Sequence, residues 1–173
     1  MRRIYSNPVP YDGPLSSEHT EYIGKPWQVF WHENCYMAVD CMGICKYHTT
    51  FLGATCPNFE DWTKVLYYNT GIKMTPREIW DVAERRNNME RLFNLREGLK
   101  RDDPEKGDVL NERYHTEPTR RGAPDVVGRV IEKDKFLQMR AEFYKHKGCD
   151  EWGVPTPETL KRLGIENEPS HIL

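Results

Sequence analysis

The chain has 173 residues, one domain's worth, and its 25 basic against 27 acidic residues give a net charge of −2. That balance leaves no electrostatic footprint for nucleic acid, and no stretch is long and apolar enough to span a membrane. With 38% hydrophobic and 30% charged residues the chain is lean for a self-sufficient globule, but its five Trp, nine Tyr and six Phe argue against disorder. The composition reads as a folded piece that docks on a partner.

Residues 1–24 hold Pro8, Pro10, Gly13, Pro14 and Gly24, which predicts an extended arm or linker with little helix or strand of its own. Its two arginines have no apolar stretch behind them, so the start does not read as a secretory leader. The odd count of five cysteines is then expected as reduced thiols in a cytoplasm.

From Lys25 the pattern turns helical. Pro26 suits a first helical turn, and Trp27, Phe30, Trp31, Asn34 and Ala38 recur three or four apart, until Gly43 stops or loosens the helix. That stop places backbone groups free to bind something. Residues 58–71 read as a short helix capped by Asn58, with a stripe of Phe59, Trp62, Val65 and Leu66 and a stop at Gly71. Thr75-Pro76-Arg77-Glu78 is a capping box, and the helix it opens runs toward Gly98 with Ile79, Val82, Met89, Leu92 and Phe93 inward. Residues 100–128 are an irregular excursion. A further helix over 134–147 buries Phe136, Leu137, Met139, the Arg140 stem, Phe143 and Tyr144, and "PTPETLKRLG" forms a short capped helix ending at Gly164. No stretch reads as a strand. The fold class is mostly α: an irregular multi-helix domain over 25–173, with long loops and an extended arm before it.

Most chemistry-bearing residues have an ordinary structural reading. Trp27, Trp31, Trp62 and Trp80 fit core or interface positions. Arg96 and Glu97 read as pinning a helix end to a neighbouring loop, and Asp102-Asp103 as a solvated turn. Arg85-Arg86 and Arg120-Arg121 read as solvated faces or partners of nearby carboxylates. His115 and His146 show no partner in the sequence.

The exception is "DCMGICKYH" at 40–48. Cys41, Cys45 and His48 stand four and three apart, so on one helix they would share a face and hold zinc, with Cys35 or Cys56 as the fourth ligand. The same residues also read as Asp40-x-x-Gly43-x-Cys45, an acid and a thiol around a glycine. By itself that pattern is weak, and a capped helix with Cys45 in the core explains it.

Downstream strings extend the second reading. "DCMGICK" (40–46), "YNTG" (68–71), "ERRNNMERLFNLREGLKRDD" (84–103), "ERYHTEP" (112–118) and "KGCDEWGVPTPETLKRLGI" (147–165) occur in the order seen in tungsten-containing aldehyde ferredoxin oxidoreductases. Residues 25–165 thus resemble the C-terminal domain of that family. Two departures stand out: "PEKGDV" lengthens the loop after Asp103, and Cys149 stands where tryptophan is common.

The resemblance implies a tungstopterin beside a [4Fe-4S] cluster. Asp40 would accept hydrogen bonds from pterin N–H groups, Gly43 would admit the pterin, Ile44 would act through its backbone and Cys45 would ligate iron. Cys41 falls at a variable position of the motif. It also implies remaining domains or a larger subunit with the other cluster cysteines, and ferredoxin or a related carrier as electron acceptor. This chain alone should be inactive, because one thiolate does not hold a cluster. Two alternatives stay open: a subunit of an aromatic acyl-thioester reductase of the same superfamily, and a non-enzymatic helical interaction module with structural zinc.

Overall fold

In the computed structural model, residues 2–49, 57–105 and 107–168 are described. Among them helices dominate and strand structure is limited to one isolated bridge, Cys149 with Pro155. The elements run α1 (Arg2–Tyr5), α2 (Lys25–Cys41), a 3-10 turn η1 (Lys46–His48), α3 (Phe59–Thr70), α4 (Pro76–Arg96), α5 (Arg113–Thr116), α6 (Lys133–Lys147) and α7 (Pro157–Leu163). The expected mostly α class is what the chain adopts.

The caps are where the sequence places them. Asn58 and Thr75 each close a capping box, with Asp61 and Glu78 reaching back. Thr156 accepts from the Thr159 N–H at the start of α7.

α2 is the central rod, with α4 and α6 packed against it, α3 and α7 on α4. Its stripe of Trp27, Phe30, Trp31, Cys35, Ala38 and Val39 meets Phe59 and Trp62 of α3 and Ile79, Trp80 and Ala83 of α4. A second cluster joins Leu92 of α4 to Leu160, Leu163 and Ile165.

The arm lies along α2 and is tied to it through its main chain. The indole N–H groups of Trp27 and Trp31 donate to the carbonyls of Tyr5 and Asn7, both at 2.8 Å. Tyr11 stacks on Trp27 with ring centroids 4.4 Å apart. Lys25 and Gln28 both donate to the Ser16 carbonyl.

Several expected core positions are corrected. Val65, Phe93 and Leu137 are exposed, and Val82 is only half-buried. The inner face of α4 instead carries Glu84, Asn87 and Asn88. They bury because each finds a partner: Asn87 Nδ2 donates to Asn34 Oδ1 at 3.0 Å, Asn88 donates to the Glu84 carbonyl, and Glu84 pairs with Arg162.

The strings at 91–108 and 140–154 converge on one polar knot. Arg91 donates to both oxygens of Asp108 and to the Gly153 carbonyl, and Tyr144 donates to Asp108 at 2.5 Å. Arg140 donates to the carbonyls of Arg101 and Asp108 and pairs with Asp102. Asp102 lies exposed in a turn, as expected, and Arg101 and Arg140 both pair with it there. Arg96 and Glu97 pair with each other and, among the described residues, reach no neighbouring loop. Arg86 pairs with Glu90, whereas Arg85 donates to the Leu163 carbonyl.

Both histidines find partners. His115 Nδ1 lies 2.7 Å from the Ile131 carbonyl, and His146 sits among the rings of Tyr11, Trp27 and Phe30. Cys149 is buried, and burial pushes its thiol up to about 12.

Candidate functional site

The last turn of α2 closes in a Schellman arrangement. Met42 N–H donates to the carbonyls of Ala38 and Val39, Gly43 N–H to Asp40 at 3.2 Å, and Ile44 N–H reaches back to Val39 at 2.9 Å. This requires Gly43 at φ 69°, a left-handed conformation that disfavours a Cβ. Ile44 then packs against the core cluster, the apolar contact that such a cap uses.

The expectation of free backbone groups at this helix end is corrected. The carbonyls of Ala38, Val39 and Asp40 and the N–H groups of Met42, Gly43 and Ile44 are spent on the cap. A backbone role for Ile44 falls to its carbonyl.

What the turn presents outward is side chains. Asp40 and Cys45 are both exposed, on either side of Gly43. One Asp40 oxygen accepts from Lys46 Nζ at 3.1 Å, and that ammonium also stands 6.0 Å from the centroid of the Tyr36 ring. A Cβ built on Gly43 would meet nothing within 4 Å, so the space over the turn is open. The set is one carboxylate, one thiol and a clear approach between them. It fits a pterin edge, whose paired N–H donors a carboxylate accepts, and one iron of a cluster. The sequence reading gave no role to Lys46, and its position directly after Cys45 was the available signal.

The zinc arrangement is not formed as expected. α2 ends at Cys41, Cys45 is extended with φ −64° and ψ 131°, and Cys35 is wholly buried in the core. Cys41, Cys45 and His48 therefore do not share a helix face. Among the described residues no three His, Cys, Asp or Glu side chains group to hold a metal ion. Cys56 and the side chain of His48 lie outside the described residues. Among the described residues no helix is long and apolar enough to cross a membrane.

The model of the family described as aldehyde ferredoxin oxidoreductase, domains 2 & 3, matches residues 4–165, and so takes in most of the arm. The chain is 35% identical over 128 residues to the tungsten-containing aldehyde ferredoxin oxidoreductase of Pyrococcus horikoshii, covering 74% of this chain and 19% of that protein. The Pyrococcus furiosus enzyme of the same name is 33% identical over 127 residues, covering 73% and 19%. The chain thus spans about a fifth of the length of these relatives. Among solved structures, the active site complex BamBC of benzoyl coenzyme A reductase with 1,5-dienoyl-CoA shares the fold at a TM-score of 0.65 and 23% identity, covering 92% of this chain and 22% of that one. With matching strings in order and a family match over nearly all of its length, this chain belongs to the aldehyde ferredoxin oxidoreductase family, in the region of domains 2 and 3.

Proposed function

We propose that this chain is the domain 2 and 3 region of a cytoplasmic tungstopterin iron–sulfur oxidoreductase that converts an aldehyde and water to a carboxylate, with ferredoxin as electron acceptor. The observation that carries the reading is the capped end of α2, which sets the Asp40 carboxylate and the Cys45 thiol outward around an open glycine turn.

Asp40 accepts hydrogen bonds from pterin N–H donors, and a carboxylate suits this because it offers two acceptor oxygens. Lys46 Nζ pairs with one oxygen of that carboxylate at 3.1 Å and leaves the other free to accept from the ligand. Gly43 lets the ligand approach the backbone, the Ile44 carbonyl lines the turn, and Cys45 supplies one iron thiolate. Bound there, the tungstopterin and the cluster would supply the two-electron redox chemistry. On this reading the other cluster thiolates come from outside this chain, because the cysteines at 35, 41, 45, 56 and 149 do not reproduce a cluster-binding spacing and Cys35 and Cys149 are buried. The chain alone is inactive on this reading.

The test is elemental analysis of the complete enzyme, purified without oxygen. The expected result is tungsten with about four irons per site, as one cubane cluster requires. Cys45→Ser should lose the iron, Asp40→Ala should lose the tungsten, and Cys41→Ser should keep both. Zinc that disappears in both cysteine variants, with no tungsten in the parent, would sink the assignment.

A second reading keeps the site and changes the reaction. The shared fold with the benzoyl coenzyme A reductase complex supports an aromatic acyl-thioester reductase. Aldehyde-dependent reduction of a viologen dye, compared with reduced-dye oxidation by an aromatic acyl-CoA, separates the two.

A further inference from the structure

The second half of α3 is built for a neighbour that the described residues do not supply. Beyond Trp62, none of residues 63–73 is buried. A helix end facing water should be polar. This one reads Val65-Leu66-Tyr67-Tyr68-Asn69-Thr70-Gly71-Ile72, with no charged side chain, in a chain that is 30% charged. Tyr68 is 81% and Ile72 54% exposed, with Val65 and Tyr67 exposed beside them.

The polar residues of this stretch are satisfied locally. Asn69 Nδ2 donates to the Val65 carbonyl at 2.8 Å, and the Thr70 hydroxyl to the Leu66 carbonyl at 2.7 Å. The hydroxyl of Thr70 also accepts from Ile72 N–H. The outward face is left aromatic and aliphatic, the composition that distinguishes an interface core from ordinary surface. Charges stand only at its edges: Lys64, paired with Asp61 at 3.5 Å, and Lys73, 5.4 Å from the Tyr67 ring centroid.

Two other exposed aromatics stand beside the chain's own cations. Arg96 lies 4.6 Å over Phe93, and Arg101 lies 4.3 Å over Trp152. Among the described residues, Tyr68 has the tilted ring of Tyr67 beside it and no cation over it.

We propose that the face of α3 from Val65 to Ile72 is the docking surface for the polypeptide that completes the oxidoreductase, which meets it with an apolar centre and an acidic rim. This rests on the functional reading above, in which the remaining cluster thiolates come from outside the chain. Relatives about four times as long as this chain carry the body that such a face would need.

The experiment places the photo-crosslinker p-benzoylphenylalanine at position 68 of the complete enzyme, irradiates it, and maps the joined peptides by mass spectrometry. Tyr68 is exposed enough for the replacement to leave the fold intact. The expected product joins residue 68 to a peptide outside residues 1–173, on the polypeptide that bears the remaining cluster cysteines. A product within residues 1–173, a product with a second copy, or no product overturns the surface. Tungsten and iron are measured on the same preparation. Full metal content without the outside cross-link defeats the surface alone, whereas the cross-link without tungsten supports the surface and defeats the cofactor reading.

Discussion

Arg91 of α4 holds Asp108 through two N–H donors, at 3.0 and 2.6 Å, while its third donor reaches the Gly153 carbonyl. The Arg91 side chain is 11% exposed, so the pair sits mostly out of water. Among the described residues, Arg91→Ala would leave the Asp108 carboxylate the Tyr144 hydroxyl as donor and the nearby Arg140 charge, costing about 2–3 kcal/mol, less than for a fully buried pair because Asp108 keeps some solvent. Arg91→Lys should recover little of this, since an ammonium lacks the two-pronged geometry. Chemical denaturation midpoints measure both.

The same carboxylate sets an acid limit. Burial pushes the Asp108 carboxyl up, but hydrogen bonds from Arg91 and Tyr144 and the charges of Arg91 and Arg140 outweigh it, so it sits below the usual range. A depressed folded pKa means that the stabilisation is full above the unfolded value of about 3.9 and is lost as pH falls through the folded one. Denaturation midpoints of the parent should drop below about pH 4. Those of Asp108→Asn should start lower and change less over that window.

Gly43 has an internal control in Gly98. Both end long helices with the same pair of reverse bonds, Gly98 N–H to Leu95 and Leu99 N–H to Asn94, both have positive φ, and a Cβ on either meets nothing within 4 Å. Each Gly→Ala change should therefore cost about 1 kcal/mol, from backbone conformation alone. Only Gly43→Ala should also lower tungsten content. Equal tungsten in the two variants would reduce Gly43 to a cap.

The buried amides of Asn34 and Asn87 form one unit. Asn87→Leu keeps the branched shape but leaves Asn34 Oδ1 without its donor, a loss of about 1–3 kcal/mol. Replacing both by leucine should cost less than the sum of the single changes. A fully additive double-mutant cycle would show that the two amides stabilise independently.

His146 adds a second pH response. Burial lowers its pKa, with Glu142 opposing. The unfolded chain then takes up the proton first, so stability is full above about pH 6.5 and falls as the pH drops below it. His32, lowered by burial as well, contributes in the same direction. His146→Phe should lose less stability between pH 8 and pH 5.5 than the parent, with unfolding midpoints as the readout.

The helices were legible because their ends are written locally. Asn58, Thr75, Thr156, Gly71 and Gly164 act within a few residues of themselves, and the structure uses each as the sequence implies. The inward faces were less legible. Apolarity predicted Val82 and Phe93 inward, but Glu84 and Asn87 bury because Arg162 and Asn34, 78 and 53 residues away in the chain, meet them. No periodicity contains such pairings. At the end of α2 the spacing of Asp40, Gly43 and Cys45 was legible, and so was the helix stop. The spending of the backbone on the cap was not, nor was the grip of Lys46 on Asp40, because both depend on how the chain turns after Gly43.

Several arginines in this fold hold main chain as well as acids. Arg85 donates to the Leu163 carbonyl, Arg91 to Gly153, Arg101 to Glu151 and Arg140 to Arg101 and Asp108. A carbonyl is present whatever residue bears it, so these contacts are blind to the side chains of the loops they hold. Leu163 is buried and remains constrained by packing, but positions such as Glu151 can drift in identity while the loop keeps its course. The sequence latitude of the long connections is thereby bounded by a few guanidinium groups, those of Arg85, Arg91 and Arg140 on helices and that of Arg101 on a turn, which lets irregular segments diverge without reshaping the domain.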